Sequence, residues 1–529
     1  MSSIVQLLCN NFGGIRERNA AFSNEAITAQ DIQNVELYYT GTNSGVGIRT
    51  VKGNVSINSD LEGSAKIIKL FESTQKTKKY FFVYAETATV GTLYYKDSQT
   101  GHLVALKTNL TPTGMANGFD VMQGWSDLFF FTNGQEMFTV EMDVINEQTQ
   151  LPENIIVDME LTDRDERAVY GINALIFDNR LWIARDNIIW YSKQADIYEF
   201  DSADPEVTTS SGYIERLKNI TAIHEYLGTL AVFFADSSEQ ISVSDGTFSI
   251  GQESPGGCAG FNSLVFHDTN LYFYDDIKKS VFSFRQVITG EKTLGENVAV
   301  EIQSILNKID SDKLDKIQAY SVFIEGRNEI WWILPTTETY TVREDDEDVT
   351  KQASIILIYD YLKGEWVKRK SQKINSVTVI NGSLYSAADD GNILEEYKTD
   401  TFNGDYIQHY YNCSPCNLRA DNTLKVLCLP PRVSFDMPYS NQFYVEYIKN
   451  YNTFKKPKTR FIKSKLKNYL YWGIGFWGVN FWADKHTSIV GKLPTATFKI
   501  LEISLYTKDI TNSFSIKNIE FSKIKVKQV

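Results

Sequence analysis

GFNSLVFHDTNLYFYDDIKKSVFSFR, residues 260–285, holds the reading on which the fold turns. Phe261, Leu264 and Phe266 are apolar, and His267, Asp268, Thr269 and Asn270 then turn the chain. Leu271, Phe273 and Tyr274 follow, Asp275 and Asp276 turn it again, and Val281, Phe282 and Phe284 close the unit. Near-alternation in runs this short, bounded by Asp and Asn, predicts antiparallel strands joined by tight turns. The phrase returns as GINALIFDNRLWIARDNIIWYSK (171–193), ITAIHEYLGTLAVFFADSSEQISVSD (220–245) and INSVTVINGSLYSAADDGNILEEYK (374–398). Looser versions begin near Lys66, Phe119 and Ala319. Starts spaced by roughly 40 to 60 residues suit four-stranded propeller blades. One such sheet cannot bury its apolar face alone, but set radially each blade covers the next. The competing reading is an ordinary β-sandwich with chance likeness between hairpins.

The chain is therefore expected to be all-β. Residues 1–32 form an N-terminal extension, 33–400 a β-propeller of six or seven blades, and 401–529 a C-terminal β-sandwich-like domain. Val35–Tyr39 and residues 48–51 read as a hairpin that pairs into the blade of 374–397 and closes the ring. In VAVEIQSILNKIDSDKLDKI (298–317), Ile302, Ile305, Leu306 and Ile309 follow helical spacing, which predicts a short helical insertion. REDDEDVTK (343–351) reads as a solvated loop between two strands of one blade, and 143–167 and 199–211 as exposed acidic connectors.

Aromatic residues make up 13% of the 529, which suits half-buried pleated surfaces and supports the β reading. The opening MSSIVQLLCNNFGG has neither a basic stretch nor a long apolar core, so no secretory signal is expected. No apolar window is long enough to span a bilayer; the strongest, 469–482, is short and contains Asn480. Five cysteines in such a chain do not make a disulfide scaffold, which fits synthesis in a reducing cytoplasm. Charge is uneven. Residues 401–529 carry 19 Lys+Arg against 8 Asp+Glu; the whole chain has 53 and 66, which leaves 34 and 58 for residues 1–400. An acidic part joined to a basic part speaks to partners and assembly, not to fold.

Catalytic and cofactor motifs are lacking. Cys413 and Cys416 form a CxxC with Cys428 and His409 nearby, enough ligands for one zinc ion, but no second CxxC follows and Pro415 favours a plain turn with free thiols. Asp310 and Asp312 open like a calcium loop, yet Leu314 stands where an oxygen ligand belongs. There is no phosphate-binding glycine loop. The five histidines lie in different units, and His267 occupies a turn, a place more often at the surface. Near Ser242 and Ser386 the sequence looks like a sialidase Asp-box with the wrong spacing and no Trp. Paired carboxylates abound, and nothing selects one pair for glycoside hydrolysis. No cofactor is expected, and the chain reads as a non-enzyme.

Three stretches together resemble a virion family, the packaged-DNA stabilisation or tail hub (nozzle) proteins of short-tailed bacteriophages. They are GGIRERNAAFSNEAITAQDIQNVELYYTGTNSGVGIRTVKGN (13–54); a helix followed by EIWWILP (329–335) and LIYDYLKGEW (357–366); and an aromatic, Gly-interrupted C-terminal domain. The 343–351 insertion and the CxxC have no counterpart in that pattern. The resemblance implies a structural protein of the virion tail, assembled in the host cytoplasm. It implies a hexameric ring below the portal and adaptor, in contact with other tail proteins, that retains packaged double-stranded DNA and lets it pass at ejection without sequence-specific binding. The alternative is a phage receptor-binding or glycan-degrading propeller protein.

Double-stranded DNA carries one charge per ~1.7 Å of axis, and an acidic lumen would repel it from every side and leave it free to slide. Asp158, Asp163, Asp165, Asp204, Glu344, Asp345, Asp346 and Glu347 are the lumen candidates, each equally readable as an outward solvated loop. Partner contacts are expected from Lys455, Lys456, Lys458, Arg460, Lys463, Lys465 and Lys467, which otherwise form a solvated face. Trp472, Trp477 and Trp482 read either as an interface, where Trp concentrates binding energy, or as a packed strand.

Overall fold

The structure is a computed structural model. It describes residues 4–9, 12–16, 27–40, 45–57, 61, 65–124, 126–146, 148–202, 209–244, 247–284, 295–309, 313, 316–344, 347–414, 424–435, 442–449, 458–463, 469–470, 481–482, 489–493, 496–498, 501–509 and 512–527. Short apolar runs punctuated by Asp, Asn and Gly fold into small antiparallel sheets in chain order, and the molecule is a β-propeller joined to a second β unit. Seven such sheets are described, at 66–110, 117–158, 173–215, 220–250, 264–283, 318–372 and 374–396, numbered here as blades 1 to 7. The first strand of each blade abuts the first strand of the next, except that blade 4 meets blade 5 through the turn at 261–263, and Ile374–Ile380 of blade 7 lies against Lys66–Gln75 of blade 1.

Polar side chains stitch neighbouring blades through backbone groups. Asn117 Nδ2 donates to the Ala174 carbonyl at 2.9 Å and Ser376 Oγ accepts from the Leu70 amide at 3.1 Å. Between blades 5 and 6, His267 Nδ1 lies 2.8 Å from Ser321 Oγ, and its other ring nitrogen contacts Asn328 Oδ1. His267 is thus buried at 2% exposure, contrary to the surface position expected from its turn; the turn of blade 5 folds against blade 6. The leading stretch itself gives strands Leu264–His267, Asn270–Asp275 and Ser280–Ser283, preceded by a 3-10 turn, Phe261–Ser263, that sits against blade 4.

Ring closure differs from expectation in one respect. A strand from before blade 1 does complete blade 7, but it is Asn54–Ser56, with Leu394 opposite Ser56 and Glu396 opposite Asn54. Val35–Tyr39 instead pairs with Val46–Thr50 in a sheet with Ser515–Lys527. The reason lies in burial: Val35, Leu37 and Ile48 belong to a core shared with Phe443, Leu505 and Ile516, whereas Asn54–Ser56 offers no apolar alternation to read.

The second unit is therefore built from both ends of the chain. One sheet joins Ile4–Cys9, Val35–Tyr39 and Val46–Thr50 to strands between 424 and 527; the other joins Phe12–Ile15 and Ile27–Gln33 to Tyr410–Cys413, Leu501–Tyr506, Gln442–Lys449 and Lys458–Lys463. The chain thus divides not at 33 and 400: residues before about 50 belong with those after about 410. The helical insertion is real but short, a 3-10 turn Val300–Ile302 running into Gln303–Leu306, with Ile302, Leu306 and Ile309 buried. Of residues 343–351, those described, 343–344 and 347–351, lie not in a loop but in paired strands: Thr339–Glu344 pairs with the first half of Glu347–Asp360, whose second half is a strand of blade 6.

Candidate functional site

Two places carry unusual chemistry, the seam between blade 6 and the second unit, and the outer edge of blade 2. The seam joins the first two stretches of the resemblance. Gly13 and Gly14 lie on Glu365 and Trp366, and the Gly14 amide donates to Glu365 Oε2 at 2.9 Å. A Cβ at Gly14 would lie 2.4 Å from the Trp366 carbonyl oxygen, which only glycine tolerates. Arg16 closes the contact with an ion pair to Glu365 at 2.6 Å. Asn34, in the left-handed region at φ 55°, donates its amide to the Lys368 carbonyl and accepts from the Lys370 amide, so the linker zips onto the outer strand of blade 6. Lys368 Nζ and Tyr410 Oη both bond Asp31, at 2.6 and 2.7 Å.

Deeper in the seam, Glu36 is gripped by Arg327 and Arg49, and Arg327 also pairs with Glu329 at 2.9 Å and lies over the Tyr397 ring at 3.6 Å. Burial pushes the Glu36 carboxyl up, but the two guanidiniums outweigh it and hold it below the usual carboxylate range. Burial works against the Arg327 charge too, and its partners hold its pKa above the ordinary arginine value. Glu329 also accepts from Trp331 Nε1 at 2.8 Å, so the EIWW stretch supplies part of the network. Arg369 and Glu396, both 1% exposed, pair beside it, with Arg369 among the rings of Trp331, Tyr397 and Phe402. Sequence reasoning missed this network; its members are far apart in the chain and only the Glu/Arg content of the motifs hints at it.

His409 belongs to the same seam. It is 4% exposed, with Nε2 3.2 Å from the Val51 carbonyl and Nδ1 3.3 Å from Thr507 Oγ1, and burial pushes its pKa down to about 4. Cys413 is buried and Cys428 exposed; Cys416 lies outside the described residues. No group of three or more metal-ligating residues occurs among the described residues. Beside the seam, an open cavity of about 570 Å³ is bordered by Gln33, Tyr340, Lys370, Tyr406, Gln408 and Tyr410.

The lumen candidates scatter. Asp163 is 2% exposed; burial raises its pKa, but bonds from Trp190 Nε1, the Arg167 and Asp165 amides and the Arg167 side chain bring it below the usual range. It is an internal strut of blade 3, not a charge facing a channel. Asp165 is exposed, 3.4 Å from Arg167. Asp158 is exposed on the outer strand of blade 2 and pairs with Lys107 of blade 1. Glu344 pairs in register with Glu347, which is exposed, while Asp204, Asp345 and Asp346 lie outside the described residues. Of the partner candidates, Lys458, Arg460 and Lys463 form one strand, on which Arg460 is exposed. Trp482 ends a two-residue strand paired with Tyr469–Leu470. Lys455, Lys456, Lys465, Lys467, Trp472 and Trp477 lie outside the described residues.

Blade 2 supplies the second place. Its outer strand, Pro152–Asp158, exposes Ile155 and Val157, and Leu151 and Ile145 beside it are 65% and 56% exposed. Residues 136–166 hold ten acidic residues and one arginine. The signal missed in the sequence was this pairing of exposed β-branched residues with acid, which the reading as an acidic connector smoothed over.

No family model matches the chain, and no curated protein does. Among solved structures it is similar to the computationally designed Ika8 protein, at 14% identity over 66% of this chain and 100% of that one, TM-score 0.35. It is also similar to BamB from Moraxella catarrhalis, at 12% identity over 66% of this chain and 98% of that one, TM-score 0.34. The Pan2 WD40 domain of Neurospora crassa follows at 9% identity over 66% and 94%, TM-score 0.32.

Proposed function

We propose that the chain is a structural subunit of a short-tailed bacteriophage tail, a hub or nozzle protein whose copies form a hexameric ring around the path of packaged double-stranded DNA. The observation that carries this reading is the seam. Two of the three stretches that resemble the family meet in space, GGIR and LKGEW, through Gly14, Arg16, Glu365 and Trp366, so that part of the likeness rests on one assembled feature. The charge division supports the same reading, because an acidic propeller fixed to a basic unit can meet its neighbour head to tail. The portal, the adaptor and other tail proteins are the further partners, the virion tail the location, and no catalytic role is included. Exposed Asp165 and Glu347 remain lumen candidates under this reading.

Titration of a linear DNA duplex against the purified protein tests it. Weak binding at physiological salt with little sequence preference is expected; tight, steeply salt-dependent binding would overturn an acidic conduit. A second reading, a receptor-binding propeller that takes a glycan, is favoured by the cavity bordered by Tyr340, Tyr406, Tyr410 and the Gln33 and Gln408 amides. Specific binding or cleavage of a host-surface polysaccharide by a monomer would select it.

A further inference from the structure

The blade 2 edge and the basic edge of the second unit fit each other. Among the described residues no strand pairs with the outer side of Pro152–Asp158, and none with the outer side of Lys458–Lys463, which ends its six-stranded sheet. Unpaired edges are templates for another strand, and proteins normally guard them with charge or short length. Here both edges carry charge but also expose apolar groups. Ile155 and Val157 stand on the solvent face of one, and Phe461, 44% exposed, stands on that of the other beside exposed Thr459. Other outer strands of the propeller expose less: Leu103–Leu110 shows Val104, and Thr247–Ile250 shows Ile250.

We infer that Lys458–Lys463 of one copy pairs antiparallel with Pro152–Asp158 of the next, an intermolecular sheet that rests on the ring reading above. The register is determined by parity and charge. Phe461 opposite Ile155 and Thr459 opposite Val157 put solvent face on solvent face, and Ile462, buried in its own unit, then falls on the inner face with half-buried Ile156. The same alignment sets Lys458 opposite Asp158 and Lys463 opposite Glu153. A slip of one residue would turn Phe461 toward the wrong face, and a slip of two would set Lys463 opposite an apolar residue, Leu151 or Ile155, in either direction. Parallel pairing also matches the charges but places exposed Phe461 on the side of Ile156. Asp158 is already held by Lys107, so Lys458 would join an existing pair, and Asp158 leaves the lumen set.

The placement of the edges suits a ring. The second unit sits on blade 6, and blade 2 lies three blades away in one direction and four in the other, nearly across the propeller. One copy therefore offers its basic edge on one side and its acidic edge on the far side. Such a heterologous contact repeats from copy to copy and closes when the rotation allows. Strand addition supplies affinity through main-chain bonds, and the alternating side chains select the partner.

Sedimentation velocity of the full chain tests this with two variants, Glu153→Lys/Asp158→Lys and Lys458→Glu/Lys463→Glu. Each alone should self-associate at least ten-fold more weakly than the unaltered protein, and an equimolar mixture should recover a complex in which the two variants alternate, because unaltered edges match at one contact and reversed edges at the next. Far-ultraviolet circular dichroism should stay unchanged, since both strands are edges. A chain carrying Ile155→Cys and Phe461→Cys should give disulfide-linked oligomers on oxidation that neither single variant gives. Self-association undiminished in both charge variants would overturn the edge pairing and leave the ring reading standing. A strictly monomeric unaltered protein, with no complex in the mixture, would overturn both.

Discussion

The two outer sides of the propeller treat charge in opposite ways. At blade 6, Glu329, Arg369 and Glu396 are buried, Glu36 and Arg327 are partly buried beside them, and ion pairs join the group and fasten the second unit. At blade 2, acid lies in the open beside exposed Ile155 and Val157. Charge taken out of water must be paired, and removing one partner leaves a costly orphan; charge left in water is worth little until a partner arrives. The difference separates what holds one subunit together from what the subunit offers to another.

The largest expected effect comes from breaking the blade 6 side. Glu36→Gln leaves Arg327 and Arg49 facing a neutral amide and should lower stability by about 3–5 kcal/mol in the first urea transition. Acid should reproduce part of this loss. His409 has a folded pKa of about 4 against an ordinary 6.5, so its neutral form contributes stability that is fully present above pH 6.5 and is lost as the pH falls toward 4. The total is about 3 kcal/mol. Because His224 and His267 are also shifted down by burial, the measurement is the difference between the protein and a His409→Gln variant, whose stability should fall less steeply between pH 6.5 and 4.5.

Gly14→Ala forces a methyl group against the Trp366 carbonyl and should cost about 1–3 kcal/mol, read as a lowered midpoint. At the smallest end, Ile155→Ser should change the unfolding midpoint by less than about 0.5 kcal/mol, because the side chain is exposed, while weakening self-association. A blade 2 change that destabilised the monomer as much as Glu36→Gln would erase the contrast between the two sides.

The propeller was legible because each blade carries its own local pattern of apolar runs and turns, as in 171–193 and 374–398. The seam was not legible, because its contacts between the N-terminal strands and blade 6 join residues as far apart as 291 for Glu36–Arg327 and 351 for Gly14–Glu365, and period-two alternation says nothing about which sheet a strand enters. Val35–Tyr39 shows this: its alternation correctly marks a strand, and its partner, Val46–Thr50, was local, yet the sheet was built by Ser515–Lys527 from the far end. The closing strand Asn54–Ser56 escaped for the opposite reason, since three residues without apolar alternation bond mainly through backbone. Of the candidate residues, Asp163 misled because an Asp in an acidic run looks solvated until Trp190 and Arg167 fold over it. The Lys458–Lys463 run was legible as basic, but that it forms an edge strand depends on its pairing with Gln442–Lys449.

Negative-stain imaging of the purified full-length protein tests the central claim most directly. The account predicts closed rings with an open centre, each subunit seen as a disc with a second lobe on its rim, and neighbouring subunits in contact lobe to opposite rim. A field of single two-lobed particles at concentrations where the protein is fully folded would contradict it.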